Sequence, residues 1–410
     1  MKQTIWTLMI CSVLFVGCQD DDNNAANNPR KDIVLTKSES HIANSQTDFA
    51  FDLFRNGLAN ADAGNVDQYV VSPLSASFAL SMLANGAEGE ALQEILQALR
   101  IGSTSIADVN SYNQKLTSTL ESLDKETRLN LANSLWLDDQ FNAQPSYAKA
   151  IQENYNGEVF CVDFNKARPQ INNWCEERTN GMIKDFLNNL SKEQKMMLLN
   201  ALYFNGKWKA PFDKSNTRTD DFFNENGEKI GNADFMRRSG SMRFGYNDLY
   251  YMLSLPFGNE AFSMYLILPN EEKTLAECIK QLDKQMWEES INNLYAQEVN
   301  LRLPKFSINM KGKLIEALEA MGIDKVFNTS NSLPLLAADN NLQIGFAQQA
   351  ISVKVTEEGA EAAAVTGIGG ETMSPKPGTP FDFFLNRPFL YVIAEKSTGT
   401  MLFLGQVTKL

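Results

Sequence analysis

A single histidine occurs in the 410 residues. It is His41, in a polar stretch near the N-terminus that shows no periodicity. No Ser-His or Cys-His pair can therefore assemble inside the body of the chain, and imidazole metal sites fall with it. Lysine- or carboxylate-based chemistry passes that test, but no paired motif for it is present. The five cysteines show no CxxC spacing. With Cys11 and Cys18 in the N-terminal segment, Cys161, Cys175 and Cys278 remain, an odd number that indicates neither a zinc site nor a disulfide framework. Buried free thiols are the expectation. Basic charge is also short, at 37 Lys and Arg against 50 Asp and Glu, and the resulting net charge of -13 argues against a nucleic-acid partner. Beyond the first residues no apolar run approaches membrane-spanning length. No metal, no cofactor and no enzymatic activity are expected.

What is present begins with an export signal. Lys2 supplies a charge, Ile5 to Val16 an apolar core too short to span a bilayer, and Gly17-Cys18 follows. Core plus Gly-Cys resembles a bacterial lipoprotein signal. That resemblance implies removal of residues 1–17, lipidation of Cys18 and anchoring in the cell envelope, at the outer membrane. Phe15, three before the cysteine, departs from the usual Leu or Val. The acidic Gln19-Asp-Asp-Asp22 resembles the surface-export tag of some Gram-negative lipoproteins. The plainer reading is an ordinary secretory signal with an incidental cysteine. Residues 18–46 are polar and rich in Asn and Asp, and read as a lipidated cysteine with a flexible tether.

The body starts at Thr47 and has no repeat or low-complexity linker before Thr366, which favours one unit. Ser72 is placed to cap a helix and Pro73 suits its first turn. Leu74, Phe78 and Met82 share one face of that helix, and Ala76, Ala79, Leu80 and Leu83 fill the rest, so it is expected to be buried nearly all round. Met196 to Phe204 is apolar apart from Asn200, as for a strand covered on both faces. Asn205-Gly206 reads as a turn before Lys207-Trp208. Tyr251–Pro256 and Phe262–Pro269 read as strands, Leu314–Met321 as an amphipathic helix, and Tyr391–Ala394 with Phe403–Val407 as a C-terminal hairpin.

One stretch is unusual. Val353 and Val355 alternate with Lys354 and Thr356, a strand signature. Beyond Gly359 come small residues, then Gly367-Ile-Gly-Gly370, then Ser374-Pro-Lys-Pro-Gly-Thr-Pro380. Such a run lacks the apolar surface to fix itself, which fits a linker. Parity fits a latent strand instead. Ala360, Ala362, Ala364, Thr366, Ile368, Gly370 and Thr372 carry no charge, while Glu361 and Glu371 both fall on the other parity. Both readings stand on the residues alone.

Glu357-Glu358-Gly359-Ala360-Glu361-Ala362-Ala363-Ala364-Val365-Thr366 resembles the hinge of a serpin reactive-centre loop. Ser72-Pro-Leu-Ser75, Ala132-Asn133, Asn200-Ala-Leu-Tyr-Phe-Asn-Gly-Lys-Trp208 and Asn386-Arg-Pro-Phe389 also match serpins, in the family's order and spacing, over about residues 47–410. The resemblance implies an α+β serpin fold in a single domain at 47–410. It would have a large central, mostly antiparallel sheet, two smaller sheets, about nine helices and an exposed reactive-centre loop at about 359–384. It also implies a suicide-substrate inhibitor of serine endopeptidases, with cysteine endopeptidases as a second class. The protease cuts the loop, and the cleaved loop inserts into the central sheet before deacylation.

Counting from Gly359 by the family's usual hinge length puts the cut at Met373-Ser374, with Thr372-Met373 the near alternative. Met373 suits elastase-, chymotrypsin- or subtilisin-like specificity pockets. The family implies that Trp208 packs where the loop first enters. It also implies that Ser72, Ser75 and Asn200 bond a histidine ten residues before the hinge glycine, where this chain has Gln349. The expected protein is a monomer. The competing expectations are a non-inhibitory serpin cleaved as a substrate and a cell-surface binding lipoprotein.

Overall fold

The first helix begins before the expected boundary of the body. In the computed structural model, which describes residues 28–61, 66–191, 194–337, 342, 344–360 and 379–410, Lys37–Ala59 is helical. Thr36 and Glu39 form a capping box: Thr36 Oγ accepts from the Glu39 N–H, and Glu39 accepts from the Thr36 N–H at 2.7 Å. Ile33, Ile42, Phe49, Leu53 and Phe54 are buried. The expected tether to residue 46 and body start at Thr47 are therefore corrected, and His41 lies exposed on this helix. The stripe was hard to read because Ser38, His41, Asn44 and Gln46 dilute it.

The helix Pro73–Ala84 is capped by Ser72 and all twelve of its residues are buried, as its composition predicts. Ten α-helices occur among the described residues. Fifteen strands accompany them: β1 (Val70–Val71), β2 (Thr127–Asp138), β3 (Glu158–Val162), β4 (Met196–Lys207), β5 (Arg218–Phe223), β6 (Lys229–Tyr246), β7 (Tyr250–Pro256), β8 (Phe262–Pro269), β9 (Tyr295–Pro304), β10 (Phe306–Lys313), β11 (Phe346–Val355), β12 (Gly359–Ala360), β13 (Phe381–Phe384), β14 (Phe389–Glu395) and β15 (Met401–Val407).

One sheet runs β10-β11-β12-β4-β2-β3, with β11 and β4 also paired directly. It is mostly antiparallel, with parallel contacts at β11–β4 and β2–β3. The remaining nine strands form a second network. The expected two smaller sheets merge in it because β6, 18 residues long, pairs β5 with its first half, β7 with its last residues and β9 between. The apolar run of β4 is explained by its surroundings. Met196, Leu198, Leu202 and Phe204 face the main core, while Met197, Leu199 and Ala201 face a second cluster around Trp136, Trp174 and Ile171. Asn205-Gly206 is strand rather than turn, since both residues pair with β2.

The capping box yields a pH prediction. Burial opposes the Glu39 charge, but bonds from Lys115 and from the Thr36 N–H and hydroxyl outweigh it and hold the carboxyl below its ordinary 4.5. A depressed folded-state pKa gives stability that is complete above about 4.5 and is lost as pH falls through the folded value. Glu39→Gln is expected to flatten the acid limb of the urea-midpoint profile, and Thr36→Ala to cost about 1 kcal/mol at neutral pH. An unchanged acid limb in Glu39→Gln would refute this role.

Candidate functional site

The central sheet contains a fork. Strands β4 and β11 are directly hydrogen-bonded, parallel, from Phe346↔Met197 to Ser352↔Tyr203. Above that point they separate. Strand β11 stays on β10 as far as Val355 opposite Phe306, while β4 stays on β2 as far as Gly206 opposite Thr127. Thr356 to Gly359 then reverses the chain. Thr356 N–H donates to the Gly359 carbonyl at 2.9 Å, Gly359 N–H donates back at 3.3 Å, and the Thr356 hydroxyl adds a bond at 3.1 Å.

The reversed segment β12 enters the fork. Gly359 pairs with Lys207, and Ala360 lies between Gly206 and Val355, antiparallel to both neighbours. Glycine is required at 359 because a Cβ there would sit 2.1 Å from the Gly206 carbonyl oxygen and 2.7 Å from Lys207 Cα. Ala360 is buried, so its small side chain matches a position with no room for a long one.

Trp208 closes the upper end. Its indole stacks on Phe257 at 4.5 Å and meets Phe212 edge-on. Its Nε1 donates to the Thr356 carbonyl at 2.9 Å, and its backbone N–H donates to the Glu358 carbonyl at 2.9 Å. Phe212 N–H donates to the Glu357 carbonyl at 2.8 Å. The two glutamates are pinned separately. Glu358 pairs with Lys214. Glu357 is buried and accepts from the Thr217 hydroxyl at 2.9 Å and from Lys305 at 3.2 Å. Burial works against its charge, but these donors and its own backbone N–H hold the carboxyl below its ordinary range. Thr217, Lys214 and Lys305 were not singled out from the sequence, since nothing in their neighbourhoods marks them before the sheet brings them to the hinge.

Lower in the sheet, Gln349 lies opposite Asn200. Its amide grips the main chain at the cap of the buried helix: Ser72 N–H donates to Oε1 at 3.1 Å, and Nε2 donates to the Ser72 carbonyl at 2.7 Å. The expected single network of Ser72, Ser75, Asn200 and residue 349 is only partly formed. Ser75 N–H donates to Ser72 Oγ, but the Asn200 amide turns to Asn133, which continues to the Tyr155 carbonyl. Ser75 Oγ and Asn200 Oδ1 have no hydrogen-bond partner among the described residues. Glutamine reaches the Ser72 backbone with both ends of its amide, so it satisfies that cap without engaging the other two side chains.

The hinge positions Glu361, Ala362, Ala363, Ala364, Val365 and Thr366, the bond Met373-Ser374 and the lipidation position Cys18 lie outside the described residues. Of the three body cysteines, Cys175 and Cys278 are buried, and burial pushes both thiols up to about 12. Cys161 is exposed on β3, at the edge of the central sheet, which corrects the expectation of a buried thiol. The described residues form no cluster with metal-ligand spacing. A groove of about 960 Å³ also lies between the helices Lys37–Ala59 and Leu275–Gln281, floored by Leu58, Ile230 and Leu275. It was invisible in the sequence because its walls come from distant segments.

A family model described as serpin (serine protease inhibitor) matches residues 44–410. A serine protease inhibitor of Cyanea capillata is 31% identical, over 82% of this chain and 91% of its own length. A leukocyte elastase inhibitor of Xenopus laevis is also 31% identical, covering 89% of this chain and 98% of its own. Among solved structures, tengpin, a thermophilic serpin in its native state, is 29% identical with a TM-score of 0.81, over 93% of this chain and 96% of that one. The forked sheet, the hinge seated in it and these matches across nearly the whole body agree: the chain belongs to the serpin family.

Proposed function

We propose that this serpin is a suicide-substrate inhibitor of serine endopeptidases with an elastase-, chymotrypsin- or subtilisin-like specificity pocket. The observation that carries the reading is Gly359–Ala360, already bonded antiparallel to both sides of the fork. Continuing the same strand downward needs small, uncharged side chains on one parity, and Ala362, Ala364 and Thr366 supply them.

In the proposed reaction the protease serine Oγ attacks the Met373 carbonyl carbon. The Met373–Ser374 peptide bond breaks, an acyl ester forms, and the proton passes through the protease histidine to the new Ser374 amine. Insertion then separates β11 from β4 and carries the tethered enzyme along the sheet. About fifteen residues at ~3.3 Å each give a strand of roughly 50 Å. Gly367, Gly369 and Gly370 weaken that strand through entropy and lost packing, so some molecules are cleaved without trapping.

The export reading belongs to the same proposal: residues 1–17 are removed, Cys18 carries lipid, and the protein stands on the cell envelope as a monomer. The N-terminal charge, apolar core and Gly17-Cys18 support it. A binding scaffold is the second reading, favoured by the groove at Leu58 and Leu275.

Mixing residues 28–410 with elastase and with subtilisin is expected to give an SDS-stable complex and a released peptide starting at Ser374. Mass spectrometry of the cell-derived protein is expected to show a lipidated N-terminal Cys18. Clean cleavage without a complex would favour the substrate or scaffold reading. Ala360→Arg is expected to turn inhibitor into substrate, because a guanidinium between Gly206 and Val355 is buried without a partner. Intact inhibition in that variant would rule out insertion. Gln349 cannot titrate, so insertion measured by fluorescence is expected to hold one rate between about pH 5.5 and 7.5, with Gln349→His introducing a dependence. A steep pH dependence already present in the unmodified protein and lost on changing residue 349 would contradict this.

A further inference from the structure

The sheet beside the distal end of the loop carries an aromatic surface that no part of the fold covers among the described residues. Phe244 on β6 is buried and touches five other rings: Tyr246, Tyr251, Tyr295, Phe381 and Phe383, with Phe381 nearest at 4.6 Å. Strand register puts these rings on one face, since Tyr246 lies opposite Tyr251 and Phe244 lies opposite Tyr295. The same face is core further along β6 and emerges into water at this end. Tyr246 is 67% exposed and Tyr295 44%, two of the four most exposed large apolar side chains in the described body. Tyr251 and Phe381 are half-buried between them, ring centroids 4.9 Å apart. None of the three phenol hydroxyls has a hydrogen-bond partner among the described residues.

We propose that this surface is a secondary docking site for the protease that the loop captures, on the side of the leaving fragment. This inference rests on the inhibitory reading. Its occupant follows from chain connectivity. Phe381 opens β13, which anchors the loop's C-terminal end, and lies only eight positions after Met373. At ~3.3–3.6 Å per residue that is at most about 29 Å, whereas a protease domain of ordinary size is about 40 Å across. Seated on Met373-Ser374, such an enzyme extends about 20 Å to either side, so a path shorter than full extension brings the surface beside Phe381 under its edge.

The chemistry suits a protein partner. Rigid tyrosines around a desolvated aromatic centre bring large contact area at little entropic cost and offer free hydroxyls at the rim. A fixed face beside a loop that has to travel places affinity where it does not hinder insertion. The contact speeds capture and is released once the cleaved loop moves.

The test is a paired variant, Tyr246→Ser with Tyr295→Ser, at positions exposed enough to spare the fold. The second-order inhibition rate with elastase or with subtilisin is expected to fall about tenfold, with the number of inhibitor molecules consumed per protease and the cleavage position unchanged. The Tyr246→Phe, Tyr295→Phe pair is expected to retain most of the rate. Binding of the same proteases with their catalytic serine replaced by alanine, read on a biosensor, separates docking from acylation. Should the native protein form no covalent complex while inert protease still binds through the tyrosines, the inhibitory reading falls and the docking surface stands. Should covalent trapping proceed at the native rate in the paired serine variant with both proteases, the docking surface falls and the inhibitory reading stands. A native dimer in sedimentation that the serine pair abolishes would assign the surface to a second copy of this chain and overturn the proposal, as would failure of both inert proteases to bind.

Discussion

The proposed mechanism depends on one unfinished ladder, the parallel contact between β4 and β11. The seven register pairs from Phe346↔Met197 to Ser352↔Tyr203 hold the sheet shut below the fork. Parallel pairing is slightly weaker per residue than antiparallel. A strand entering between them exchanges one parallel ladder for two antiparallel ones, so each inserted residue leaves the backbone better bonded than before. The two residues already in place make both antiparallel contacts. Under the proposed mechanism, the cost of opening the next β4–β11 pair is what restrains further entry.

The clamps around the hinge are unequal. Lys214 is well exposed while paired with Glu358, and such a pair contributes little because water and salt already screen it. Glu357 is different, with its carboxylate buried and dependent on Thr217 and Lys305. Removing a donor there strands a charge, which costs more than the pair itself contributes. The turn at Thr356–Gly359 is therefore held mainly from the Glu357 side, and by the indole of Trp208 on the Thr356 carbonyl. These contacts fix where β12 enters the fork, directly above the last β4–β11 pair.

Much of this was legible in the residues. Ser72-Pro73, the apolar run of β4 and the small side chain at Ala360 each follow from local physics, and the motif order identified the family's fold. Other features depend on proximity that spacing does not encode. Lys214, Thr217 and Lys305 become hinge partners only through the fold, 140 or more residues from Glu357 in two cases and about 50 in the other. Asn205-Gly206 has turn composition, but its pairing with β2 overrides that preference. The helix start at Lys37 was missed because a capping box counts for little when the residues behind it are mostly polar. The split between Gln349–Ser72 and Asn200–Asn133 turns on amide reach, which no sequence pattern records.

The same considerations place specificity and speed in different parts of the molecule. Under the proposed mechanism, a loop that becomes a strand cannot also be shaped for tight recognition, because bulky or charged residues on its inward parity raise the barrier at every step. In that mechanism Gly367, Gly369 and Gly370 trade strand stability for low side-chain obstruction. On that proposal, recognition beyond the primary pocket comes from surfaces that stay still while the loop moves. The aromatic end of β6, β7 and β9 is such a surface. Its rings are fixed by Phe244 beneath them, and it adjoins the one end of the loop that remains anchored after the cut.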